Sequence, residues 1–581
     1  MTTAQLLPLP VVLPLSGAVL APLAARLHRR LALVVGLVAV LAALGVLIGV
    51  ASTVYAGNGH VLTHFLSNEH PVHGYALGIA FAADPFGLAF ALLTTVLGAV
   101  LLLYALSELG DLGPKEQGGL AALTLLLLAA LVGAALTADA VNLFVWFEVA
   151  AIASYGLTGF FLERPIALEA AFKNAVLTST AGFLVFGGSA MLYVTSGALN
   201  LGQLHVALGG HLDRAQLVAV AMLVAGFATK AGLVPFHAWL PDTHTPVPGP
   251  VSALFSALMV DLGVVGLVRL TLLVVPGTVR LHGVLLTLGM TSAVVGALLA
   301  LVQQDLKRLL AWDTVSQMGV LVAGFASGTP DGVAGATYHL ISHGFFKALL
   351  FLCAGAVVHA TGLTRLDELG GLLRRRPLLA GGFVVGCLAI AGVPPLSGYA
   401  SLALIHEGLH DQPFAYAVAL AAQVLTVAGL GRAAWLGFLR PRAEAYEHLE
   451  PLRPGMRTGL GVLATGCLAF GVLPPLVVQR VAAPAASVLL HPSFYAGAVL
   501  GGGSVASVPR LPVSFDFADP ALLLPSLGEI VGGLALLLLM LRVRRVPWPL
   551  RRLRALHTGS VNDYAAYAAL GLVAVACGLL I

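Results

Sequence analysis

Apolar residues along this chain fall into runs of about twenty, the length an α-helix needs to cross a bilayer core. Sixteen such runs lie near 5–25, 32–55, 84–106, 118–137, 139–161, 168–195, 216–236, 249–273, 283–303, 308–326, 335–360, 379–402, 413–437, 457–480, 521–542 and 563–581. The pattern predicts an all-α, polytopic membrane protein of about 14–16 transmembrane helices, numbered here as spans 1 to 16. Two outer segments are long, Ala56 to Ala83 and Val481 to Pro520, and neither has the composition of a separate catalytic domain.

Composition agrees with this pattern. Of 581 residues, 59% are hydrophobic and only 10% charged, with mean hydropathy +0.96. Water-soluble domains carry about a quarter charged residues. The first run is followed, not preceded, by Arg26, Arg29 and Arg30, so it is expected to be a retained span and not a signal peptide. No basic tract interleaved with aromatics points to nucleic acid. Cys353, Cys387, Cys467 and Cys577 are isolated within apolar runs, which offers no iron–sulfur or zinc cradle and leads to the expectation of no cofactor in this chain. His60, His64, Glu69, His70 and His73 crowd one outer segment at loose spacing, and no metal site is assigned there. Gly501 to Gly503 lack the Lys-Ser/Thr of a phosphate loop.

Basic residues set the direction of each span. Twenty-two Lys and Arg fall in one set of alternate loops and five in the other, while Lys230, Lys347 and Arg432 lie within spans, which accounts for all 30. The rich side should be cytoplasmic, in a cell inner (plasma) membrane, with both termini outside.

Ionisable side chains inside spans are costly and mark pathways. Glu148 lies in VNLFVWFEVAAIASYGL and Lys230 in VAGFATKAGLVPFHAWLP, both near mid-membrane by count. Each is disfavoured as a lone buried charge, so a pair that can be made and broken is expected. Asp261 is also mid-span. It is expected to bind a passing cation, to pair with Lys230 or Lys347, or to remain neutral in a tight interface. His339, His343 and Lys347 recur at i, i+4 and i+8 on one helical face, and histidines that titrate near neutrality suit a proton relay. His237, His244, His406 and Glu407 are further candidates. The stretch PFHAWLPDTHTPVPGP after Lys230 and the element GVPPLSG at Gly392 to Gly398 cannot remain regular helix. Two such breaks in corresponding positions point to two inverted repeats of five helices, with broken seventh and twelfth spans.

The segments VNLFVWFEVAAIASYGLTGF, FATKAGLVPFHAWLPDTHTPVPGPVSALFSALMVDLGVVGLVRL, QQDLKRLLAWDTVSQMGVL and HLISHGFFKALLFLCAGAVVHATG resemble the antiporter-like membrane subunits. These subunits serve complex I, the Mrp cation/proton antiporters and the group 4 membrane-bound hydrogenases. The resemblance covers about residues 80 to 440, and RLRALHTGSVNDYAAY is similar to the last-helix segment of longer members. It implies proton translocation through Glu148, Lys230, His339, His343 and Lys347. It also places a Lys or His where this chain has Asp261, and a Lys or Glu where it has Leu402.

The expected division is 1–117 for spans 1–3, 118–273 and 274–440 for the two repeats, and 441–581 for extra C-terminal spans. The expected function is a proton or cation/proton translocating subunit of a multisubunit complex, either an Mrp-type antiporter or a complex-I-like or hydrogenase-type redox pump. The alternative is a non-transporting structural subunit. Any enzymatic role is confined to serving as the pumping subunit of a redox complex. The expected partners are other membrane subunits, the lipid bilayer and H⁺, with Na⁺ or K⁺ as the alternatives to H⁺ alone as the transported ion.

Overall fold

The computed structural model describes all residues other than 1, 57–58, 67–70, 73, 210, 276, 278, 442–445, 447–448, 502–505, 543–547 and 581. Among the described residues, fifteen helices are long and apolar enough to cross a membrane. Each corresponds to one of the sixteen expected spans. The sixteenth, span 12, is broken into Pro377–Ile390 and Ser397–Leu409. Spans 8, 10 and 11, at Gly249–Val274, Leu306–Ala326 and Pro330–Thr361, are the most enclosed, whereas the C-terminal span Val561–Leu580 is mostly exposed. The interior therefore lies around spans 8, 10 and 11, and the outer helices offer apolar faces to lipid.

Both expected breaks are present, and their loose backbone groups are satisfied by neighbouring protein. Span 7, Arg214–Ala231, ends at Gly232 with φ +70°, and the N–H of Leu233 donates to the carbonyl of Ala228 at 2.9 Å. The Trp239 indole donates to the Thr229 carbonyl at 2.7 Å, and the Val234 N–H donates to the Ser292 hydroxyl at 2.9 Å. At span 12 the turn is repeated. Gly392 has φ +71°, the Val393 N–H donates to Leu388, and the Gln423 amide donates to the Ile390 carbonyl at 2.7 Å. Left-handed glycines close helices in this way because they lack a Cβ. Irregular backbone at membrane depth is tolerated only where protein encloses it.

The outer segments differ from expectation in three respects. His60–Phe65 pairs antiparallel with Ala80–Ala83 and with Ala506–Ser507, so the two long outer segments join in one small sheet. Span 14 ends at Val472, short of the expected 480. Two helices follow, Pro474–Leu490 and Pro492–Leu500, bent by 87° where an outer loop was expected. Pro474 and Pro475 stop the preceding helix, since proline lacks the N–H needed to continue it. Glu69, His70, His73, Gly502 and Gly503 lie outside the described residues. Among the described residues, no group of three His, Cys, Asp or Glu is arranged to hold a metal.

A buried ion pair ties this end of the molecule together. Asp84 caps span 3, Pro85–Glu108, by accepting from the N–H groups of Phe86 and Gly87. Its other oxygen accepts from Arg269 at 2.9 Å, and Arg269 also donates to the Ala135 carbonyl at 2.5 Å and approaches the Tyr495 hydroxyl at 3.5 Å. Both charged side chains are fully enclosed. Arg269→Met should therefore lower the unfolding midpoint of the purified protein by an amount reflecting about 3–5 kcal/mol, because it strands the Asp84 carboxylate. An unchanged midpoint would show that the pair contributes nothing.

Candidate functional site

Most of the ionisable groups singled out from the sequence lie on spans 5, 7, 8, 11 and 12. Glu148 is on span 5, Ala140–Thr158, half-buried, with one carboxylate oxygen enclosed and without a hydrogen-bond partner among the described residues. Gly182 makes room for it, since a Cβ there would fall on the carboxylate. Lys230 is fully buried one residue before the end of span 7, its Nζ 5.3 Å from the ring centroid of Phe147, the residue preceding Glu148. Glu148 and Lys230 thus face one another's helices without forming an ion pair within 4 Å among the described residues.

Spans 7 and 8 press backbone to backbone at Ala231 and Gly263, where a Cβ on Gly263 would collide. Asp261 lies two residues earlier on span 8, on a different face of that helix from Gly263. It lies two residues after a π-helical turn, Phe255–Met259, a local insertion often found at functional sites. The carboxylate pairs with neither Lys230 nor Lys347, as had been one expectation. Its close neighbour is His343, with Nδ1 3.5 Å from Oδ1, and both side chains are fully enclosed.

Lys347 is occupied elsewhere. It pairs with Asp313 of span 10 and donates to the Leu310 carbonyl at 3.2 Å. The histidine ladder is intact, with ring centroids of His339 and His343 6.5 Å apart. His339 is held on both nitrogens, Nε2 by the Gln317 amide oxygen at 3.0 Å and Nδ1 by the Ser401 hydroxyl at 2.9 Å. An amide oxygen only accepts, so Nε2 carries the hydrogen and Nδ1 accepts from Ser401. Ser401 belongs to the second half of broken span 12, so the break delivers a hydroxyl to the ladder.

The remaining candidates separate. His244 stacks on Phe351 at 4.6 Å, fully buried. His237 packs on Trp312 at 5.1 Å, with His557 on the same indole at 5.2 Å. His406 is buried and 3.4 Å from Glu529 of span 15, Pro520–Arg542, whereas Glu407 is exposed.

Several ionisable residues escaped the sequence reading. Asp313 and Glu529 lie well inside apolar runs, and the criterion that found Asp261 would have found both. Lys173 and Lys307 were counted as loop residues but are buried. Lys307 donates to the Val247 carbonyl at 2.6 Å, and Lys173 to Asp242 at 3.1 Å. Asp242, in the short helix Trp239–His244 of the span 7 break, also binds Arg308 at 2.5 Å and His557 at 3.1 Å. Lys173, Asp242, Arg308 and His557 line a cavity of about 320 Å³ at the basic side of the molecule.

Taken together, the helix arrangement and the chain of enclosed carboxylates, lysines and histidines define an antiporter-like membrane subunit. The chain belongs to the family described as NADH:quinone oxidoreductase/Mrp antiporter, TM, which it matches over residues 137–427. It is 33% identical over 409 residues to an NADH-quinone oxidoreductase subunit of Desulforudis audaxviator, covering 69% of this chain and 79% of that one. It is 35% identical over 432 residues to a Na(+)/H(+) antiporter subunit of Alkalihalophilus pseudofirmus, covering 72% and 84%. Among solved structures, a chain of the Mrp complex from Dietzia sp. DQ12-45-1b superposes with TM-score 0.77 at 25% identity, over 86% of this chain and all of that one. A chain of an archaeal membrane-bound sulfane sulfur reductase superposes with TM-score 0.78, also at 25% identity, over 85% of this chain and all of that one.

The Lys347–Asp313 pair generates a direct test of how its charges are balanced. Asp313→Leu alone leaves a buried ammonium and should destabilise the protein by about 3–5 kcal/mol, whereas Asp313→Leu with Lys347→Met should recover most of that loss. Additive losses in a thermal-unfolding cycle would show that the two side chains act independently.

Proposed function

We propose that this protein is the proton-translocating membrane subunit of a multisubunit complex, with the ion path running through Glu148, Lys230, Asp261, His343, His339 and Lys347. The observation that carries this reading is the enclosure of opposite charges and imidazoles in neighbouring helices, at a depth where lipid could not solvate them. Relatives named as an antiporter subunit and as a quinone oxidoreductase subunit support ion translocation in either setting. The 118–273 and 274–440 halves, each containing one broken span, would serve as the two repeated units of the path. Partner subunits would supply either the redox chemistry or the rest of the antiporter, with Na⁺ or K⁺ as the counter-ion in the second case.

The mechanism follows from the contacts. Glu148 and Lys230 are held close without a direct bond, so a proton arriving at Glu148 removes the carboxylate's field from the lysine and favours release of the Lys230 proton. Asp261 stabilises a proton on the adjacent His343 and loses that effect when it is itself protonated. His339 can take a proton at Nδ1 once the Ser401 hydroxyl turns away to the Gly398 carbonyl, 3.1 Å from Ser401 Oγ, while the Gln317 amide oxygen keeps its hydrogen bond to Nε2–H and holds the ring in place. Asp313 holds Lys347 in place beside the ladder.

The proposed location is the plasma membrane with both termini outside. Contacts between loops support this alternation. Asp111, after span 3, binds Arg453, before span 14, at 2.6 Å and lies 3.8 Å from Arg29, after span 1. All three belong to loops expected on the basic side. Arg453 holds the exposed Asp111 carboxyl below its ordinary range.

Glu148 and Lys230 should behave as one unit. In vesicles containing the assembled complex, Glu148→Gln or Lys230→Met should each abolish most proton flux, and the double variant should be little worse than either single one. Partial losses that add would refute the unit.

Asp261 separates proton from cation traffic. Asp261→Asn keeps the shape but removes the charge facing His343, so flux should fall and its dependence on Na⁺ or K⁺ should change. If assembled Asp261→Asn vesicles retain wild-type rate and ion dependence, the carboxyl is a neutral packing group.

A further inference from the structure

Outside the path described above, one enclosed acid–base pair joins the core to a helix beyond the family match at residues 137–427. Glu529 lies nine residues into span 15, about 13 Å along the helix. Its side chain is 2% exposed, and neither carboxylate oxygen has a hydrogen-bond partner among the described residues. Among the described residues, its one neighbour at salt-bridge distance is His406, 4% exposed, with Nε2 3.4 Å from Oε1. The free nitrogen of His406, Nδ1, is also buried without a partner among the described residues. Tyr416 of span 13 packs edge-on against the imidazole at 6.0 Å, and the neighbouring Glu407 points outward. An unsatisfied acid and an unsatisfied imidazole facing one another in a membrane interior would be costly as pure packing. Leu402, the residue standing where the resemblance calls for a Lys or Glu, is buried and apolar. Broken span 12 thus carries His406 toward the far side, and the carboxylate beside it comes from another helix.

We propose that Glu529 is the terminal proton carrier of this subunit, exchanging its proton with His406 and with water beyond the start of span 15. This rests on the proton-path reading above. Ser401, hydrogen-bonded to His339, precedes His406 by five residues on the same helix, a rise of about 7.5 Å. A proton taken up at His406 Nδ1 lets Nε2 release one to the Glu529 carboxylate, giving neutral imidazole and carboxylic acid. The acid then loses that proton to water and returns to carboxylate, so no charge accumulates.

The test uses the assembled complex in vesicles, with proton flux and complex yield measured together for Glu529→Gln, Glu529→Asp and His406→Gln. Glu529→Gln and His406→Gln should each lower flux about tenfold or more with normal yield, and Glu529→Asp should retain most of it. An infrared band for carboxyl protonation, driven by pH on the span 15 side, should be present in wild type and Glu529→Asp and absent in Glu529→Gln. Where Glu529→Gln lowers yield, that band and the Glu529→Asp flux decide the matter. Wild-type flux in assembled Glu529→Gln, or an unchanged band, overturns the proposal. Glu148→Gln, run in parallel, distinguishes the failures: if it abolishes flux while Glu529→Gln does not, the path stands and its proposed terminus falls. If neither affects flux, the path itself fails.

Discussion

The rest of the structure depends on one constraint, that a bilayer solvates neither an open backbone group nor a charge. Every irregular or ionisable element must then be enclosed by protein that answers its polarity. The break in span 7 is closed by the indole of Trp239 and the hydroxyl of Ser292, and that in span 12 by the amide of Gln423. Opening the helices costs hydrogen bonds that these neighbours return. What remains is a pair of sites where backbone direction changes beside Lys230 and Ser401, at the positions from which an ionisable path can be built.

Enclosure by neighbours also explains why the innermost spans carry most of the polar groups. Spans 8, 10 and 11 are screened from lipid by the helices around them, so they can hold Asp261, Asp313, Gln317, His339, His343 and Lys347 without facing hydrocarbon. The outer spans 1, 2, 15 and 16 expose leucines and valines. Glu529 departs from that rule, because span 15 is largely exposed yet turns this single carboxyl inward. The buried Asp84–Arg269 pair and the Asp242 cluster lie at opposite ends of the bundle and lock helix ends.

Much of this was legible in the sequence, for physical reasons that also set its limits. The spans, the breaks after Lys230 and at Gly392, and the single face shared by His339, His343 and Lys347 follow from helix period, hydropathy and proline chemistry. Partner identity does not. Nothing local to Asp261 indicates that it faces His343 instead of a lysine, because that depends on how spans 8 and 11 pack. Asp313 and Glu529 carried the same local signal as Asp261, a carboxyl inside an apolar run, but their basic partners lie on other helices. Lys173 and Lys307 sit near span ends, where hydropathy reads loop, although packing buries them. The outer sheet depends on residues more than 400 positions apart, which no window of local pattern can join.

The distribution of bonds separates carboxylates held by several partners from carboxylates with few. Asp242 is bound by Lys173, Arg308 and His557, and Asp84 by Arg269 and two N–H groups. Carboxylates so fully answered are poor proton acceptors, because protonation would forfeit several charge-assisted bonds at once. Glu148, Asp261 and Glu529 have no hydrogen-bond partner for one or both oxygens among the described residues, and each lies next to a single base. Protonating such a carboxyl sacrifices little and alters the field at that base, which is the property a step in ion transfer requires. By this criterion Glu148, Asp261 and Glu529 are the carboxyls suited to the proposed path, and the well-bonded Asp84 and Asp242 at the two ends of the bundle serve as frame.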